Sequence, residues 1–188
     1  MLAYGVVGVS DLRTRFEREA LPHLDAVYNF AFRLTRREAD ARDLVQDAAL
    51  RAFQHFDSFT TGTNCRAWLF TITYSVFVNR YRRQQRESTV VTPEDPGWPL
   101  DDRAVDPRSP SLTTPARATA AADVESALAE LPDDFRAAIV LVDVEGLSYD
   151  DAAAVLDCPV GTVRSRLFRA RKHLAERLRG YDTSQRKR

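Results

Sequence analysis

Arg164, Ser165, Phe168, Arg169 and Lys172 fall within nine consecutive residues and combine cations, a hydroxyl and a ring. Arginine can donate two hydrogen bonds to guanine O6 and N7 in the DNA major groove, and neighbouring cations can pair with phosphates. The surrounding segment is Leu147 to Leu174, LSYDDAAAVLDCPVGTVRSRLFRARKHL. Ser148 is a good N-cap, with Asp150 and Asp151 in the first turn, where carboxylates suit the helix dipole. Asp157-Cys158-Pro159 interrupts the helical pattern, because proline disfavours helical geometry in the residue before it. A second helix restarts near Val160. Its apolar residues Val163, Leu167, Ala170 and Leu174 form one stripe at helical period. The five chemical residues lie off that stripe, so packing predicts them toward solvent. Two short helices joined by a tight turn, the second offering arginine outward, suit duplex DNA. The same spacing also describes an ordinary amphipathic helix with a solvated basic face, and helix-turn-helix shapes serve other uses.

The chain's 188 residues allow one large domain or two small ones, and its 44% hydrophobic content is enough for real cores. Formal net charge is zero, which excludes a global charge argument for nucleic acid. The distribution is more informative. From Val160 to the end, ten basic residues face two acidic ones, a local +8, the footprint of phosphate binding. Arg186, Lys187 and Arg188 at its end read as a frayed, solvated tail. Cys65 and Cys158 have no CxxC partner, and His23, His55 and His173 show no ligand spacing with them, which argues against a metal site. Free buried thiols suit a reducing cytoplasm. No apolar run reaches membrane-spanning length, so no membrane insertion is expected. The N-terminus lacks a basic leader before its short apolar run and is a poor signal peptide.

The elements that must position these residues read as helices throughout. Six of the nine prolines lie between Pro93 and Pro115. Residues 88–123, with Trp98 and Leu100 as their central large apolar residues, have linker composition. Before this linker, apolar stripes run through Leu24, Val27, Tyr28, Ala31 and Leu34, then Leu44, Val45, Ala48, Ala52, Phe53 and Phe56, then Trp68, Leu69, Ile72, Val76 and Phe77. The third stripe follows a Thr-Gly-Thr-Asn turn that offers a cap. After the linker, Val124 to Leu131 and the Phe135, Ala138, Ile139, Val142 stripe add two helices before the helix-turn-helix. The expected architecture is all-α, with two small helical domains, residues 10–87 and 124–180, joined by a flexible Pro-rich linker.

Two polar faces stand out in the first domain. Asp43, Gln46 and Asp47 form a compact row on the second helix, a docking face for a basic helix or a plain soluble surface. The third helix ends in Asn79-Arg80-Tyr81-Arg82-Arg83-Gln84-Gln85-Arg86, with Arg66 and Trp68 near its start. Basic groups interleaved with aromatics suit a single strand, whose phosphates pair with guanidinium groups and whose bases stack on rings. A basic C-terminus also favours the helix dipole, and Trp68 lies in the apolar stripe.

Taken together, DARDLVQDAALRAFQHFDSF, NCRAWLFTITYSVFVNRYRRQQR and LPDDFRAAIVLVDVEGLSYDDAAAVLDCPVGTVRSRLFRARKHL resemble a bacterial RNA polymerase sigma factor. The small two-domain form is similar to the extracytoplasmic-function group of the sigma-70 family. The resemblance covers most of residues 12–178 outside the tether. It implies that Asp43, Leu44, Gln46 and Asp47 grip the clamp helices of the polymerase beta-prime subunit. It implies that Thr60 to Arg83 opens the promoter and captures the −10 element as unpaired strand. The −10 residues would be Asn64, Arg66, Trp68, Ser75, Asn79, Arg80, Arg82 and Arg83, and the loop Thr60 to Asn64 would pocket a flipped base. Ser75 stands where many relatives carry asparagine, and Asp47 replaces the commoner glutamate. The final helix would read the −35 duplex with Arg164, Ser165, Phe168 and Arg169 near bases, Arg171 and Lys172 nearer phosphates, and Arg166 also among its DNA-binding residues. The implied partners are core RNA polymerase, including its beta flap, promoter DNA and an anti-sigma factor. The Gly-Thr-Asn turn and NRYRRQQRE are similar to subgroups controlled by a redox-sensing, zinc-binding anti-sigma protein, where any zinc belongs to the partner.

The expected function is promoter-specific transcription initiation in the cytoplasm, with no catalytic residue, cofactor or metal of the chain's own. Two rivals follow from the same residues. One is a polymerase-independent helix-turn-helix regulator, with little need of the Asp43, Gln46, Asp47 face. The other is a helical RNA-binding or enzymatic protein, which would need an acid–base or metal constellation that the sequence does not display.

Overall fold

A computed structural model of the chain describes residues 9–87 and 118–184, with side chains over residues 11–80 and 123–178. The expected linker therefore lies largely outside the described residues, as do Trp98 and the Arg186–Arg188 tail. Among the described residues all regular structure is helical. The chain divides into two compact units, one through Val76 and one from Phe77.

The first unit holds α1 (Val9–Glu19), α2 (Leu24–Thr35), α3 (Glu38–Gln54) and the start of α4 (Cys65–Glu87). Val27, Ala31 and Leu34 of α2 and Leu44, Ala48 and Ala52 of α3 are buried. Small alanines at the seam let two helices approach closely, and each buried Val or Leu contributes about 1.5–3 kcal/mol. Arg36, in the left-handed region at φ 58°, ends α2 and turns the chain into α3. Phe30 and Phe70, neither in an expected stripe, are fully buried and meet edge to face at 5.1 Å, which ties α2 to α4. Asn64 caps α4: its Oδ1 accepts from the Ala67 amide at 3.0 Å. Before it, Gly62 at φ +89° allows a turn that a side chain would strain.

The second unit is α5 (Ala118–Glu130), α6 (Asp133–Ile139), α7 (Tyr149–Leu156) and α8 (Val160–Ser184). A single π-helical turn, Val140–Val144, extends α6. Ser148 caps α7, accepting from the Asp151 amide at 3.0 Å and donating to its carboxylate at 2.8 Å. The break before α8 is made at Asp157, whose φ of 48° ends α7. Aspartate tolerates that conformation better than most residues. Arg136 is only 2% exposed. Its Nε donates to the Leu128 carbonyl at 3.0 Å and its Nη2 to the Leu131 carbonyl at 2.6 Å, so it closes the C-terminal end of α5.

Candidate nucleic-acid interface

The stripe Val163, Leu167, Ala170 and Leu174 is buried, each residue at 1% exposure or less. That burial fixes the rotation of α8. At about 100° per residue, Ser165, Phe168, Arg169 and Lys172 occupy the arc away from the core, and Arg164 lies about 60° beyond one edge of the buried stripe. Arg164 and Lys172 are exposed, while Ser165, Phe168 and Arg169 are half-buried. The Ser165 hydroxyl donates to the Thr162 carbonyl at 2.9 Å, which leaves its oxygen able to accept.

Arg166 and Arg171 lie elsewhere. Each sits about 40° beyond one edge of the buried stripe, on opposite sides. Arg171 makes a bidentate pair with Asp143 of the π turn, Nε to Oδ2 at 2.9 Å and Nη2 to Oδ1 at 2.6 Å. Its Nη1 also reaches the Tyr149 hydroxyl at 3.4 Å. The two charged side chains are 16% and 5% exposed. The hydrogen bonds to Asp143 raise the guanidinium's pKa above its ordinary value against the opposing effect of burial. Arg166 pairs with Asp134 of α6 and touches the Cys158 sulfur at 3.7 Å. Arg177 pairs with Glu130 of α5, holding that carboxyl below its usual range. Three arginines of α8 therefore bind three acids of preceding elements. Arg171, expected near phosphates, has its guanidinium engaged by Asp143. Arg166 is likewise turned toward α6.

On α3, Asp43 and Gln46 are exposed and Asp47 is half-buried. Leu44 is 1% exposed and belongs to the core. The helical rotation that exposes Asp43 and Gln46 turns Leu44, expected in the gripping face, inward.

Around the start of α4, Trp68 packs at 5.2 Å from Phe59 and 5.9 Å from Phe56. The half-buried indole also lines an open groove of about 300 Å³. Ser75 and Ile72 of α4 share that groove with Arg51, His55 and Ser58. The groove thus brings together a ring, a hydroxyl and a cation from three elements. Asn64 lies outside it, its Oδ1 spent on the helix cap. The Arg66 guanidinium rests over the Phe70 ring at 5.5 Å. Asn79 is exposed and Arg80 half-buried further along α4. The side chains of Arg82 and Arg83 lie outside those described.

The family profile for Sigma-70 region 2 matches residues 21–87, and that for Sigma-70, region 4 matches residues 121–174. The ECF RNA polymerase sigma factor EcfG of Rhodopseudomonas palustris is 40% identical over 83% of this chain and 79% of its own length. The chain belongs to the extracytoplasmic-function group of the sigma-70 family.

This alternative sigma factor is also 40% identical to the ECF RNA polymerase sigma factor SigE of Mycolicibacterium smegmatis, over 83% of its own chain and 58% of that relative's length. A solved structure of the sigma factor RpoE in complex with the anti-sigma factor NepR, from Bartonella quintana, aligns with a TM-score of 0.68 at 35% identity. The alignment covers 88% of this chain and 98% of that one. Reading the sequence missed Asp134, Asp143 and Tyr149 as partners of α8, and Arg51, His55 and Ser58 as walls of the groove. One signal was available for the first group: arginines at the edges of an apolar stripe, with acids upstream. No helix among the described residues is long and apolar enough to cross a membrane.

Proposed function

We propose that this sigma factor binds core RNA polymerase through the Asp43–Gln46–Asp47 row of α3 and places two DNA modules, residues 10–87 and 124–180, on one promoter. Arg164, Ser165, Phe168 and Arg169 read the −35 duplex from the outer arc of α8, and Lys172 faces the backbone. The observation that carries this reading is the division of α8. Its edge arginines are consumed by the unit's own acids, while Arg164, about 20° further round than Arg171, stays exposed. The groove beside Trp68 receives an unstacked base of the −10 strand, with Arg51 available to phosphate and Ser75 to a base edge. Asn79, Arg80, Arg82 and Arg83 continue that track along α4. Opening is driven by binding energy alone, in the cytoplasm, without a cofactor or a covalent step. Two modest modules joined by a tether gain from effective concentration.

An anti-sigma factor is a further partner, supported by the related sigma factor solved with NepR. The test is run-off transcription with core polymerase on a promoter library. Replacing Asp43 and Asp47 by lysine is expected to abolish transcription and co-migration with polymerase, while −35 duplex binding by the same chain stays unchanged. Transcription at the unmodified level by that double variant refutes the docking face.

A further inference from the structure

Helix α1 precedes residue 21, where the region 2 match begins, yet it is built into the site on α4. Phe16 meets Phe56 edge to face at 5.2 Å and Phe53 at 5.3 Å. Phe56 in turn contacts Phe59 and Trp68, at 5.4 and 5.9 Å. The ring that borders the groove is thus backed through Phe56 by α1. A second contact reaches the loop. Arg15 Nη2 donates to the Thr61 hydroxyl at 2.8 Å. The same guanidinium lies 5.4 Å from the centroid of Phe56 and 4.0 Å from the Glu19 carboxylate, and the side chain is 24% exposed. A planar fork held by a ring, a carboxylate and a hydroxyl has a defined direction. Thr61 follows Thr60, whose carbonyl accepts from both the Thr63 amide at 3.2 Å and the Thr63 hydroxyl at 2.7 Å. Holding Thr61 therefore holds the whole turn that leads into the Asn64 cap.

We infer that α1 braces the strand-capture site and that Arg15 is a positioning residue, setting the Thr60–Asn64 loop through Thr61. The inference rests on the reading of that region as the −10 module. In it, Arg15 does not bind DNA. It keeps the loop from sampling conformations that close over the path of the unpaired strand.

The test uses the full chain with core polymerase and a duplex promoter carrying a fluorescent adenine analogue in the −10 non-template strand. Arg15→Gln and Thr61→Val are each expected to slow opening by about threefold to tenfold, the range for a typical hydrogen bond. Thr61→Ser keeps the hydroxyl and is expected to open at the unmodified rate. The double variant R15Q/T61V is no slower than either single one, because both remove one interaction. In the free chain, both variants speed amide hydrogen exchange over residues 61–64. Unmodified opening by T61V overturns the brace. So does a decrease of about one in the salt slope of promoter binding on R15Q, the signature of a lost phosphate contact. Failure of the unmodified chain to open any promoter overturns the −10 reading itself, a result separable from either variant outcome.

Discussion

Arg171→Met removes the charge that faces Asp143 and keeps an apolar stem of similar length. Both members of the pair are largely desolvated, at 16% and 5% side-chain exposure, and two hydrogen bonds join them at 2.6 and 2.9 Å. Removing one partner of a fully buried pair destabilises by about 3–5 kcal/mol, whereas exposed pairs contribute about 0–1 kcal/mol. This pair lies closer to the first case, so about 2–3 kcal/mol is expected for R171M and for Asp143→Asn. At about 4–8 °C per kcal/mol for a unit of this size, thermal unfolding of the second unit falls by roughly 10–20 °C. The double variant R171M/D143L recovers most of that loss, since apolar side chains can replace a buried pair with little change in stability. The informative assay is −35 duplex affinity across a salt series, at temperatures where each variant stays folded. If Arg171 only orients α8, R171M and D143N weaken binding alike and leave the salt slope unchanged. If Arg171 contacts phosphate, R171M lowers the slope by about 0.9 and D143N tightens binding by releasing the arginine. That second outcome refutes the orienting role.

Two other expectations follow from the same structure. Arg164→Ala leaves thermal unfolding unchanged and reduces discrimination against a mutated −35 base pair by about 1–3 kcal/mol, measured by competition between duplexes. Cys65, buried and near Glu19, has its thiol pushed up to about 11 from an ordinary 9, mainly by burial. Between those values the unfolded chain releases a proton that the folded chain keeps, so stability is intact below pH 9 and falls as pH rises toward about 11. Chemical unfolding of the unmodified chain and of Cys65→Ala across that window checks the sign, the variant losing this part of the slope.

Much of the second unit was legible residue by residue. The Ser148 cap, the break at Asp157 to Pro159 and the stripe of α8 all rest on local rules: a hydroxyl reaching an orphan amide, a proline excluding helix before it, and a period of 3.6. The first unit was less legible. Phe30 lies off the expected α2 stripe, and Phe70, Thr73 and Tyr74 lie off the expected α4 stripe, yet all four are buried. A helix packed on more than one side hides residues that a single-stripe reading assigns to solvent. Leu44, given a partner by the family resemblance, follows the inward period of its own stripe and is buried. Arg136 offered no local hint at all, because only the folded C-terminal end of α5 presents the carbonyls that its guanidinium closes.

The helical class, the caps, the break before the last helix and the abundance of arginine along it are properties of short stretches of chain, set by backbone preference and apolar spacing. Which of those arginines can meet DNA is not. Asp134, Asp143 and Glu130 lie between 28 and 47 residues upstream of Arg166, Arg171 and Arg177. Only the packing of α5, α6 and the π turn against α8 brings each acid within reach. A charge counted along the sequence becomes a charge available to a partner only after the fold has paired off its share.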